Sequence, residues 1–262
     1  MDRPVFENPQ LNGSTFKLKP PPSDKPTDIA ILLFHGFTST TIEVRPLAES
    51  LQKFGYTVLA PLLPGHGTKP EDMLVVRCED WVDTAENAYL DLVRDYPKIV
   101  VGGESMGALL ALHLAAQHPN ISGVVVFAPA VHISGQWRAP LLAPFIKFRP
   151  KYYLPTDVKQ PEPSTLPWQG YNVLPIPAAA QFYELQKIVQ HELVSITQPA
   201  LIFQGKLDGT IDPQGAQAVV EALSSQDKRL IWLENSGHTL LLGSEHEAVY
   251  QQTLRFIQQA TI

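Results

Sequence analysis

A hydroxyl, a carboxylate and an imidazole stand in the chain order Ser105, Asp208, His238. Together such groups can carry out nucleophilic substitution at a carbonyl carbon. A serine hydroxyl is a weak nucleophile and needs a base within hydrogen-bond reach. Neutral histidine can take that proton and return it to a leaving group. A carboxylate then fixes the imidazole tautomer and stabilises the imidazolium. Ser105 stands in Gly103-Glu104-Ser105-Met106-Gly107, a G-x-S-x-G pattern that presents a serine at the apex of a strand-to-helix turn. The two glycines suit the tight turn, because a Cβ there would meet neighbouring backbone. The negative charge that forms on the carbonyl oxygen needs two backbone N–H donors. Met106 supplies one, at a helix N-terminus whose dipole favours an anion. Phe37, after His35-Gly36, is the expected second donor, with Gly36 allowing close approach.

Rivals for these roles read differently. Asp212 precedes Pro213 and looks like a helix cap, whereas Asp208 lies four residues past the strand end at Gln204. His113 and His118 fall along the helix after Ser105, His246 falls in the last helix, and His132 and His191 lie in or beside a proline-rich stretch. His35 and His66 sit in turns, where a hydrogen bond to backbone is the expected role. Glu104 adjoins Ser105 and so points elsewhere, with a local structural role. Cys78, at the start of a helical stretch, reads as structural.

The elements that must position these groups follow from the hydrophobic pattern. Continuous apolar runs at 29–34, 98–102, 123–128 and 200–204, with shorter strands at 56–60 and 229–233, suit parallel strands covered on both faces. Helices are expected at 43–54, 80–96, 108–116, 178–193, 214–223 and 245–259. Ser14 to Lys19 reads as an edge strand. Up to residue 129 the order is β-α-β-α-β-α-β, the pattern of a doubly wound, mostly parallel sheet. In such sheets functional groups collect past the C-terminal strand ends. Ser105, Asp208 and His238 all fall there.

The alternation breaks between 130 and 198. That stretch holds many prolines together with Trp137, Phe145, Phe148, Tyr152, Tyr153, Trp168, Tyr171, Phe182 and Tyr183. A disordered linker would lack this apolar content. An inserted helical cap (130–198) over a core formed by 1–129 and 199–262 is the expected organisation, the alternative being a helical crossover that only packs against the sheet.

A hydrophobic content of 44% over 262 residues supports one large core. A net charge of -6 and the lack of a basic stripe argue against a nucleic-acid partner. A single cysteine excludes an internal disulfide and a cysteine zinc cluster. The N-terminal residues show no apolar run of the signal-peptide kind, and no apolar stretch is long enough to span a membrane. A cytoplasmic protein acting on a small molecule is the expectation.

The motifs His35-Gly36-Phe37-Thr38, Gly65-His66-Gly67-Thr68 with Pro70-Glu71-Asp72-Met73, Trp81, Gly103-x-Ser105-Met106-Gly107, Asp208 and His238 together resemble the bacterial carboxylesterase and monoacylglycerol lipase group of the α/β-hydrolases. The resemblance covers about residues 29–129 and 199–260. It implies an α/β-hydrolase fold with a small helical cap over an acyl-binding pocket. It also implies an ester or lipid-like substrate cleaved through an acyl-enzyme, with no cofactor and no metal. Two positions depart from the pattern. Glu104 stands where relatives often have His or Leu, and Ala108 where they often have Gly. Thioester, lactone, amide or C–C bond hydrolysis uses the same triad, and a ligand receptor on this scaffold would keep it. The substrate-binding residues are not legible.

Overall fold

The structure is a computed structural model that describes residues 5–21, 27–133, 138, 141, 153–155 and 165–262. In chain order its elements are β1 (Phe6–Glu7), β2 (Phe16–Leu18), β3 (Ile29–Phe34), α1 (Arg45–Lys53), β4 (Thr57–Ala60), a 3-10 turn (Pro70–Leu74) and α2 (Cys78–Val93). There follow β5 (Lys98–Glu104), α3 (Met106–Gln117), β6 (Gly123–Phe127), β7 (Tyr153–Pro155), β8 (Gly170–Tyr171), β9 (Val173–Pro175) and α4 (Ile176–Glu192). The chain closes with β10 (Ala200–Gly205), α5 (Gln214–Ala222), β11 (Lys228–Leu233) and α6 (His246–Ala260).

Seven strands form one sheet in the order β11-β10-β6-β5-β3-β4-β2. Six are parallel, and β2 alone pairs antiparallel, on β4. The chain is an α/β-hydrolase in architecture. β6 and β10 are buried along their whole length, and β3 and β5 along all but their first residue. That burial explains their unbroken apolar runs. The edge strand β11 is only partly buried and mixes charged with apolar residues. The connection reverses direction at β3: β4 lies on one side of it and β5 on the other. The loops after β3 and β5 therefore open a crevice at the C-terminal sheet edge, the usual place for a ligand in this topology.

Helix α3 has almost no polar face. Nine of its twelve residues are buried, because it packs between the sheet, α2 and α4. Helix α2 starts at Cys78, earlier than the expected residue 80, where the Asp80 carboxylate accepts the Arg77 N–H at 2.7 Å. It stops at Val93 rather than 96, since Pro97 disfavours helical backbone in the residue before it. Helix α4 begins at Ile176, with Pro177 in its first turn, a position where proline is tolerated. Its Phe182, Leu185 and Val189 are buried.

Short pairings that the pattern did not announce tie the N-terminus to the 165–175 segment. Phe6 pairs with Tyr171 and Glu7 with Gly170, while β7 pairs with β9. Tyr171 N–H donates to Thr38 O at 2.8 Å and Gln169 accepts from Thr40 Oγ1 at 2.8 Å. The segment thus buttresses the loop after β3. Of the aromatic residues noted between 130 and 198, Trp137, Phe145, Phe148 and Tyr152 lie outside the described residues, and for Tyr153 only the backbone is described.

Candidate active site

β5 ends at Glu104 and α3 begins at Met106, leaving Ser105 alone at the turn. Its φ of 57° and ψ of -111° are a strained combination for a residue with a side chain. The turn is held by the Ser105 N–H donating to Phe127 O at 2.9 Å. Close approach of three backbone segments requires both flanking glycines. A Cβ on Gly103 would lie 2.4 Å from Gly107 carbonyl atoms, and one on Gly107 would lie 2.2 Å from Phe34 O.

The loops after β10 and β11 bring Asp208 and His238 to this serine. His238 Nε2 lies 2.9 Å from Ser105 Oγ, and His238 Nδ1 lies 2.8 Å from Asp208 Oδ2. The Asp208 side chain is fully buried and that of His238 is 14% exposed. Asp208 also accepts Gln204 Nε2–H on Oδ2 at 2.9 Å, and the Thr210 and Ile211 N–H groups on Oδ1 at 2.8 and 3.1 Å. Burial pushes this carboxyl upward. The charge and hydrogen bond of His238 and the two backbone donors outweigh it, and the net result lies below the usual Asp value. Asp208 is therefore an ionised acceptor at neutral pH. The proton between it and His238 sits on Nδ1, which leaves Nε2 with a lone pair facing the serine hydroxyl. A hydroxyl, an imidazole and a carboxylate are thus hydrogen-bonded in series. Asp212 is not part of this series: its carboxylate accepts the Gln214 N–H at 2.9 Å, at the start of α5.

The loop after β3 lies directly against the serine. A Cβ on Gly36 would stand 3.4 Å from Ser105 Cβ and 3.5 Å from Glu104 O. Gly36 N–H is taken by the buried Glu43 carboxylate. Among the described residues the next N–H, that of Phe37, has no protein partner, nor does that of Met106.

A family model described as "Serine aminopeptidase, S33" matches residues 25–245. The chain belongs to this α/β-hydrolase family. It is 35% identical to "Thermostable monoacylglycerol lipase" of Bacillus sp. (strain H-257) over 233 residues, 87% of this chain and 90% of the relative. It is 29% identical to "Carboxylesterase" of Bacillus subtilis (strain 168), covering 88% and 93% of the two chains. A solved structure from work on LipS and LipT, two metagenome-derived lipolytic enzymes, superposes with a TM-score of 0.84 at 28% identity, covering 94% and 98%.

In this α/β-hydrolase the remaining family-like motifs build the wall behind the loop after β3. His35 Nε2 accepts the Leu63 N–H at 3.1 Å, and His66 Nδ1 lies 3.0 Å from Pro64 O. Trp81 Nε1–H donates to the same carbonyl at 3.1 Å. Burial holds His35 down to about 3 and His66 down to about 4, so both rings are neutral struts at neutral pH. Phe37 is half-buried, and its ring packs edge-on against Trp81 at 6.0 Å and tilted against Phe182 of α4 at 5.2 Å. The other histidines are engaged elsewhere or exposed. His113 pairs with Glu192, His118 with Glu86, and His246 bonds Gly243 O. His132 and His191 are exposed. Cys78 is buried, with its thiol pushed up to about 12. Among the described residues no three His, Cys, Asp or Glu side chains are gathered to hold a metal ion, and no helix is long and apolar enough to cross a membrane.

Two supporting residues were not singled out from the sequence. Gln204 braces Asp208, and Glu43 fixes Gly36. Their signal was available for Gln204: a polar residue near the end of the apolar run Ala200–Phe203, buried at 0% exposure. The helix expected at 43–54 places Glu43 at its first position, but α1 begins at Arg45.

Proposed function

We infer that the protein is a serine carboxylic-ester hydrolase in which Ser105 is the nucleophile, His238 the general base and acid, and Asp208 the residue that orients His238. The observation that carries this reading is the unbroken series of hydrogen bonds from Ser105 Oγ through His238 to Asp208, at 2.9 and 2.8 Å. Ester-cleaving relatives at 35% and 29% identity support the same bond class.

The reaction runs in two halves. Ser105 Oγ attacks the ester carbonyl carbon as its proton passes to His238 Nε2. The tetrahedral oxyanion is held by the Phe37 and Met106 N–H groups. Collapse expels the alcohol, which takes the proton from His238, and leaves an acyl ester on Ser105. Water then attacks that ester while His238 accepts its proton. The second oxyanion collapses, the proton returns to Ser105 Oγ, and the carboxylic acid leaves.

Phe37 and Phe182 present an aromatic wall beside the oxyanion donors, which favours an apolar acyl group. We read residues 130–198 as the cap inserted into a core of 1–129 and 199–262, with α4 as its base on α3. A small-molecule ester or a monoacylglycerol is the substrate class, and a cytoplasmic setting belongs to the same reading. The test is a substrate panel: p-nitrophenyl esters of graded chain length, a monoacylglycerol, a thioester, a lactone and alanine p-nitroanilide. The expected result is highest kcat/KM on short- to medium-chain esters or the monoacylglycerol, with the anilide far below. A preference for the anilide would instead make the protein an aminopeptidase, as the family description reads.

A further inference from the structure

The reaction leaves two deeply buried acids unused. Glu104 and Glu43 are 1% and 5% exposed. Each grips one of the two loops that the chemistry depends on. Glu104 Oε1 accepts the N–H groups of Leu240 and Leu241, two and three residues beyond His238. Glu43 Oε2 accepts the N–H of Gly36, one residue before Phe37. The two carboxyls are close enough to repel one another.

Their surroundings differ. Burial raises the Glu43 carboxyl, opposed first by the Gly36 N–H, then by the nearby Ser39 side chain, His238 and the Trp168 side chain. Glu104 is faced by Glu43 from the loop before α1, by Asp208 from the loop after β10 and by Tyr250 from α6. Two of those groups are acids and none is a cation. Glu104 Oε2 is buried without a hydrogen-bond partner among the described residues. A charge spread over such an oxygen, beside two other acids, is unfavourable. A neutral carboxyl removes that charge: its carbonyl oxygen accepts both amides, and its proton sits on the unpartnered oxygen.

We propose that Glu104 is a positioning residue carried as the neutral acid, its Oε1 fixing the His238 loop through Leu240 and Leu241 while Glu43 beside it fixes the oxyanion loop through Gly36. The inference rests on the ester-hydrolase reading for its kinetic consequence but not for its protonation. Burial, then Glu43, holds the Glu104 carboxyl well above its ordinary value of 4.5. The unfolded chain releases this proton near that ordinary value, whereas the folded protein retains it. The contribution of Glu104 to stability is therefore complete below 4.5 and declines as pH rises toward the folded value.

The experiment compares wild type, Glu104→Gln and Glu104→Leu as full chains. It records kcat and KM on p-nitrophenyl butyrate, the rate of Ser105 phosphonylation by a fluorophosphonate, and Tm from about pH 5 to about pH 9. Glutamine keeps the carbonyl acceptor and cannot ionise. It is expected to hold kcat and phosphonylation within about twofold, while leucine lowers both at least about tenfold with KM within about twofold. The fall of Tm with rising pH should flatten in Glu104→Gln, with its Tm above wild type by about 3 °C or more at the alkaline end. Three results would overturn the proposal: Glu104→Gln as impaired as Glu104→Leu, Glu104→Leu unimpaired, or an unchanged Tm slope in Glu104→Gln. Should Glu104→Leu fail to fold, the Glu104→Gln arm decides alone. Wild type that cleaves no ester would refute the ester-hydrolase reading, and the phosphonylation and Tm arms would still decide the role of Glu104.

Discussion

Ser105→Ala lowers kcat on esters by about a million-fold, with KM nearly unchanged. The substitution removes one atom, Oγ, the group proposed to attack the carbonyl. Within the protein, that atom hydrogen-bonds His238 Nε2 at 2.9 Å. Alanine is no worse suited than serine to the φ of 57° at this turn, so the fold survives and Tm moves little. The Phe37 and Met106 donors stay in place, so a residual rate of roughly a thousand- to ten-thousand-fold over water persists. Steady-state assays with a wild-type contamination control check this. A fall of less than about a hundredfold would remove Ser105 from the nucleophile role.

Asp208→Asn lowers kcat by about ten-thousand-fold. The change is nearly isosteric, so its effect must come from protons. If the asparagine carbonyl keeps the Thr210 and Ile211 N–H bonds that Oδ1 now accepts, its NH2 takes the place of Oδ2. That NH2 then faces two donors, His238 Nδ1–H and Gln204 Nε2–H. The imidazole escapes the clash by moving its proton to Nε2, where it confronts the serine hydroxyl and cannot act as a base. Kinetics supply one check. NMR of the His238 ring supplies another: Nδ1–H is expected in the wild type and Nε2–H in the variant. Activity within tenfold of wild type would show that Asp208 does not set the tautomer.

The parts of this molecule legible in the sequence are those whose physics is local. Buried parallel strands declare themselves as apolar runs, as at Ile29–Phe34 and Ala200–Phe203. Because functional groups in this topology follow strand ends, Ser105, Asp208 and His238 stand out as candidates by residue type, motif and position together, and the structure hydrogen-bonds the three in series. Long-range pairings were not legible. Nothing in Phe6-Glu7 announces a strand, since its partner Gly170-Tyr171 is more than 160 residues away. Helix α2 ran short of its apolar pattern because Pro97 overrides propensity. Glu104 was legible as a residue turned away from the chemistry, but its two amide partners near His238 arise only when β5 and the loop after β11 meet. Glu43 gave no signal because charged residues near a helix start are usually solvated.

The most direct test of the central claim is covalent capture. Wild-type protein treated with a fluorophosphonate should gain one phosphonyl group per chain, found by peptide mass spectrometry on Ser105, and should lose ester hydrolysis in step with labelling. Labelling at another residue, or ester hydrolysis that continues at full rate once Ser105 is blocked, would contradict it.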